Sequence, residues 1–288
     1  MTANEFFSVI AAVAGLTFVV ASMLGMGLSL TMAQILQPLK NARLVILALL
    51  ANFVLVPLLA YGITLLIPLD EALEIGLIVL STVAGAPFLV KEVQAAKGNI
   101  SLAVGLMFLL MIVTIVYVPL VLPLLLPGTE VNPWDIAKSL IVTMLVPIVL
   151  GLMFRSHSPE DALHWAPLLN KVSGVALLLM LVTGLGLNIS NIIDLIGSRG
   201  FLALLIFVVG SLLIGFLLGG RDPAVRSVMG LGTAQRNVAA AILVTTVNFP
   251  GTMTLTFVLV ASIILPLILI PTARRLGKQK EAEALPLP

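Results

Sequence analysis

Residues 224–248 read AVRSVMGLGTAQRNVAAAILVTTVN, a membrane-length apolar stretch with a permanent cation, Arg236, at its middle. Gln235 and Asn237 flank that charge, and Gly230, Gly232 and Thr233 loosen a helix just before it. An arginine at bilayer mid-depth costs at least ~2.5–3.5 kcal/mol on insertion scales, so it faces protein or a water-filled cavity. Mostly apolar residues on both sides keep Arg236 from reaching either interface. The stretch therefore predicts a membrane-crossing helix with a break, and function is expected at the break.

The rest of the chain agrees. Its 288 residues are 60% hydrophobic and 10% charged, with a mean hydropathy of +1.21, which defines an integral membrane protein. Continuous apolar runs, rather than alternating segments of about ten residues, select helices over a β-barrel. No cysteine is present, so disulfides, iron–sulfur clusters and thiol nucleophiles are excluded. The net charge of +2 is modest and its basic residues fall in connections, a pattern of membrane orientation rather than of nucleic-acid binding. The first 20 residues contain no Lys or Arg, and so lack the basic start of a secretory signal; they read as a retained first span.

Nine spans are predicted, near 6–29, 43–67, 73–95, 100–126, 136–154, 165–187, 201–219, 224–248 and 252–272. Lys40, Arg43, Lys97, Arg155, Lys171, Arg221, Arg226, Arg274, Arg275, Lys278 and Lys280 fall on one side of that arrangement. The other side carries Asp70, Glu71, GTEVNP, Ile192–Gly200 and NFPG, with Arg199 and Lys138 as exceptions. The positive-inside rule places the N-terminus outside and the C-terminus in the cytoplasm of a cell-membrane protein. Residues 1–276 read as one transmembrane domain, and 277–288 as a short, polar, mobile cytoplasmic tail.

An internal repeat shows in the spacing. Gly85 begins GAP in the third span and Pro119 follows 34 residues later; Gly232 begins GTAQ in the eighth and Pro266 follows 34 residues later. Five spans separate the two, so they run in opposite directions. Paired interrupted helices in inverted repeats point to the binding site of a secondary transporter.

Several stretches resemble the bile acid:sodium symporter family of organic-anion transporters. GMGLSL at 25–30, ANFVLVP at 51–57, AAKGNISLAVGL at 95–106 and GTAQRNVAAAIL at 232–243 are similar to its motifs and run in its order. The resemblance implies an all-α fold with two broken helices, spans three and eight, crossing near mid-membrane. It also implies a core of spans two to four and seven to nine, a panel of spans one, five and six, and substrate in the crevice between them. The chain looks like a nine-helix member. Its departures concern the sodium sites: the family's Ser-Asn pair aligns with Leu89 and Val90, and its carboxylate with Leu231. Gln235 and Asn52 are the ion ligands that remain. Hard cations want several oxygen ligands, which Leu and Val side chains do not supply.

Lys91 and Glu92 stand where sodium-type members place neutral polar residues. Lys91 is read as a candidate to occupy a vacated sodium space or to carry a coupling proton, with an interfacial, snorkelling position as the alternative. Glu92 is read as a partner for Arg236 or Lys91, or as interfacial with it. Arg236 either holds an anionic substrate or is a structural strut. Gln235, Asn237, Thr233 and Asn52 complete the candidate substrate and ion site, with interhelical hydrogen bonding as the alternative role. Gly85, Pro87 and Gly232 are assigned to the helix breaks. His157 and His164 lie in a charged connection and are read as solvated; no metal or cofactor is expected beyond the coupling ion. No enzyme motif occurs, and Glu92 is the single credible intramembrane acid. The leading expectation is a secondary transporter of a small organic anion in a lipid bilayer, coupled to H⁺, with Na⁺ second. A standard sodium-coupled symporter and a non-transporting sensor or scaffold are the rivals.

Overall fold

The computed structural model describes residues 3–126, 132–187, 193–195, 197–249 and 252–284. The connections 127–131, 188–192 and 250–251, expected on the outer side, lie outside the described residues. Seven helices among the described residues are long and apolar enough to cross a membrane. They are α1 (Ala3–Ser29), α2 (Ala42–Leu66), α5 (Ile100–Leu125), α6 (Pro133–His157), α7 (Pro159–Leu187), α8 (Arg199–Leu218) and α11 (Met253–Ala284). Between them run four half-length helices: α3 (Glu71–Thr82), α4 (Leu89–Ala95), α9 (Pro223–Ala234) and α10 (Val238–Asn248). The expected third and eighth spans are thus each interrupted, at 83–88 and 235–237.

Local chemistry accounts for these boundaries. Asn99, Asn132, Ser198, Asp222 and Asn237 each cap a helix by accepting a backbone N–H within the first turn. Pro57 and Pro147 lack an N–H, and each follows a π-helical turn, Ala51–Leu55 in α2 and Ile141–Leu145 in α6. Such local re-winding lets a proline sit in a membrane helix without stranding carbonyls in lipid.

α1 packs along α6 and α7 as one group. A Cβ on Gly27 would come within 2.4 Å of Ile148 O and 2.9 Å of the Gly151 Cα, so small residues let the backbones of α1 and α6 touch. The interrupted helices pack with α5, α8 and α11 as a second group. Leu66, Leu124 and Leu217 are among many large apolar side chains left exposed on the outer faces. Such a surface suits lipid as solvent.

One expectation changes at the C-terminus. Rather than a mobile tail from Gly277, α11 continues through Ala284. Gly277 is buried so closely against α4 that a Cβ there would lie 2.4 Å from Ala95 O. Lys280 Nζ donates to Ala96 O at 3.0 Å, to Lys97 O at 3.3 Å and to Ser227 Oγ at 3.0 Å. The end of α11 thereby ties α4 to the start of α9.

Candidate functional site

The two breaks meet. Asn237 N donates to Val83 O at 3.4 Å, and Asn237 Nδ2 donates to Gly85 O at 3.2 Å, while its Oδ1 accepts from Ala240 N at 3.2 Å to cap α10. On the other side of the first break, Thr114 of α5 accepts from Ala84 N at 2.9 Å and donates to Ala84 O at 3.1 Å. Gly85 has φ +78°, and a Cβ on it would fall 2.2 Å from Met111 N and 2.5 Å from Met107 O. Only glycine fits that turn and that approach to α5.

Arg236 is fully buried and sits where both half-helices end. Its Nε donates to Leu80 O at 3.1 Å and its NH2 to Ser81 O at 2.7 Å, the last-turn carbonyls of α3. Its NH1 donates to Thr233 O at 3.1 Å, in the last turn of α9, and to Asn52 Oδ1 at 2.8 Å. The last carbonyls of a helix have no intrahelical donor and carry the negative end of its dipole. In a membrane no water is at hand to satisfy them, so one guanidinium neutralises two helix ends and joins them.

Asn52 lies on the π turn of α2, held by Nδ2 donating to Ala48 O at 3.0 Å. Tyr117 Oη donates to Phe53 O at 2.7 Å in the same turn. Thr233 is buried, and it is its carbonyl that meets Arg236. Gln235 Nε2 donates to Arg236 O at 3.3 Å, while its buried Oε1 has no partner among the described residues.

The structure therefore brings Arg236, Gln235, Asn237, Asn52, Thr233 and Gly85 together. It places three others differently. Lys91 is exposed, with Nζ 5.8 Å from the Phe88 ring centroid, and does not fill a cation space at the breaks. Glu92 is buried with neither carboxylate oxygen hydrogen-bonded among the described residues, and it pairs with neither Arg236 nor Lys91. Gly232 lies inside α9 rather than in the break, and its missing side chain makes room for Leu89 of α4, 3.2 Å from where a Cβ would stand. Pro87 falls in the turn just ahead of the Phe88 cap of α4. Sequence reading missed Thr114 and the carbonyls of Leu80 and Ser81. A hydroxyl in the middle of apolar α5 was a weak signal for the first; the backbone acceptors carried none.

A helical membrane protein whose two interrupted helices meet in a sealed polar junction is built like a secondary transporter. Residues 16–195 match the Sodium Bile acid symporter family, and the chain belongs to that family. It is 29% identical over 203 residues to the uncharacterized sodium-dependent transporter YocS of Bacillus subtilis, covering 68% of this chain and 60% of the relative. It is 30% identical over 224 residues to the uncharacterized protein YbaS of the same organism, covering 72% and 70%. It is 24% identical over 233 residues to the probable sodium/metabolite cotransporter BASS3, chloroplastic, of Oryza sativa subsp. japonica, covering 77% and 54%. The match spans 60% or less of the length of YocS and of the plant cotransporters.

Proposed function

We propose that this chain carries a small organic anion across the membrane by alternating access, driven by H⁺. The observation that carries this reading is the occupied cage at the breaks. Asn52 Oδ1 and the carbonyls of Leu80, Ser81 and Thr233 already hold a cation, the Arg236 guanidinium. Those oxygens are spent, and Leu89, Val90 and Leu231 add none to a sodium site. Counting each interrupted pair as one crossing gives nine, with the N-terminus outside and the C-terminus cytoplasmic. α3–α4–α5 and α9–α10–α11 then form inverted repeats, each ending in a long helix with two prolines, Pro119 and Pro123 or Pro266 and Pro271. The group α1, α6 and α7 serves as the panel against which the remainder moves. When the two breaks part, Gln235, Asn237 and the positive N-terminal end of α10 become the polar surface for an anionic substrate, and Arg236 joins them as its bonds to α3 are exchanged.

The test starts with a thermal-shift screen of organic anions on the purified protein, followed by uptake of the strongest hit in proteoliposomes. Uptake that follows an inward H⁺ gradient and persists when choline replaces Na⁺ supports the reading; strict Na⁺ dependence overturns it. Sodium coupling is the second reading, favoured by the names of YocS and the plant cotransporters and by the unpartnered Gln235 Oε1.

A further inference from the structure

Glu92 is the one acidic side chain among the described residues that is both buried and unpartnered. It is 1% exposed, and neither Oε1 nor Oε2 has a hydrogen-bond partner. It lies on α4, which packs against α5, α9 and α11. Among the described side chains, none on these elements offers it a charge. α5 has Tyr117 as its sole titratable residue, and that hydroxyl is bonded to Phe53 O. On α9, Arg226 sits against the Phe216 ring of α8, 5.7 Å from its centroid. On α11, Arg274, Arg275 and Lys278 are exposed, and Lys280 is engaged with Ala96 O, Lys97 O and Ser227 Oγ. On α4 itself Lys91 is exposed beside Phe88.

An ionised carboxylate with no partner in apolar surroundings is far costlier than a neutral one, so the group binds a proton or leaves. The backbone allows the second course. α4 is seven residues long and is bounded by left-handed joints, Gly85 at φ +78° and Lys97 at φ +49°. A short helix between two such joints can part from its neighbours as a unit.

We propose that Glu92 is a proton-binding site: its carboxyl holds a proton while α4 is docked on α5, α9 and α11, and gives that proton to water when α4 parts from them. One proton binds one carboxylate oxygen and one is released, with no other reactant. Docking and protonation are then reciprocally linked. The sign follows from which state binds the proton. The docked state does, so docking is firm at low pH and weakens as pH rises. The role of this proton in transport rests on the H⁺-driven reading above; the site itself does not.

The test uses the full-length protein in nanodiscs. Infrared spectra at neutral pH should show the carbonyl band of a protonated carboxylic acid, lost in Glu92→Gln. Hydrogen exchange over residues 89–98, corrected for intrinsic chemistry, should report an opening that rises with pH by up to about tenfold per unit, as a single linked proton requires. The same profile should be flat in Glu92→Gln and in Glu92→Met, an apolar variant of similar length that serves if the amide disturbs assembly. A missing band, a band that survives in Glu92→Gln, or an unchanged pH profile in the variants overturns the proposal. Wild-type protein that passes both measurements but takes up substrate without regard to a pH gradient keeps the Glu92 site and loses the H⁺-driven reading. Gradient-driven uptake that survives in a Glu92→Gln protein lacking the band keeps that reading and removes Glu92 from it.

Discussion

Replacing Arg236 by Met removes the guanidinium while keeping a long apolar side chain, and the balance of terms can be worked from its contacts. Four hydrogen bonds are lost, to Leu80 O, Ser81 O, Thr233 O and Asn52 Oδ1. Interhelical hydrogen bonds in membranes are worth roughly 0.6–2 kcal/mol each, so the four contribute on the order of 2–8 kcal/mol. Against this, a charge at mid-depth no longer has to be inserted, which returns about 2.5–3.5 kcal/mol. The carbonyls of two helix ends also lose their donor, in a region where water does not replace it. With roughly 1–3 kcal/mol added for the acceptors left unsatisfied, the midpoints of these terms give a net loss of about 4 kcal/mol, inside the roughly 3–5 kcal/mol seen when one partner of a buried charged pair is deleted. Reversible unfolding in mixed detergent micelles measures it. A double-mutant cycle with Asn52→Leu should then return a coupling of roughly 0.5–3 kcal/mol, because the two residues share a bond. Arg236→Met protein as stable as the wild type, or more stable, would refute the claim that Arg236 joins the two breaks. Zero coupling to Asn52 would remove α2 from the junction.

Two further outcomes follow from the same geometry. Gly85→Ala puts a Cβ into the backbone of α5 at a left-handed φ, which should cost ~3 kcal/mol or more, and the same unfolding assay checks it. Lys280→Ala deletes the link from α11 to α4 and α9; stability should fall by only about 0.5–1.5 kcal/mol, with faster amide exchange confined to the 95–98 turn.

Much of the fold was legible in the sequence because hydropathy and helix punctuation are properties of short windows. The seven long helices overlap the apolar runs read as spans one, two, four, five, six, seven and nine. The interruptions near GAP and GTAQRN also fall where Gly, Pro and polar residues cluster, though the second lies three residues past Gly232. The site was less legible. Burial depth along α4 depends on which neighbours cover each face, so the adjacent Lys91 and Glu92, indistinguishable by position, end on opposite sides of that division. The end of α11 reads as a polar tail because its charges are visible, whereas the close seat of Gly277 on Ala95 is not.

The sequence by itself determined that this is a many-helix membrane protein, that two of its helices break, and that Arg236 must face protein or a water-filled cavity. Those conclusions follow from the cost of placing particular side chains in lipid, and that cost is set residue by residue. Only the tertiary structure decided what covers the charge. Its partners are the carbonyls of Leu80, Ser81 and Thr233 and the amide of Asn52, drawn from three other helices, and backbone carbonyls are the same in every residue type. The pairing of Arg236 with Glu92 that charge alone suggests gives way to helix ends as the counter-charge. Glu92 is left with a burial that has to be balanced by a proton.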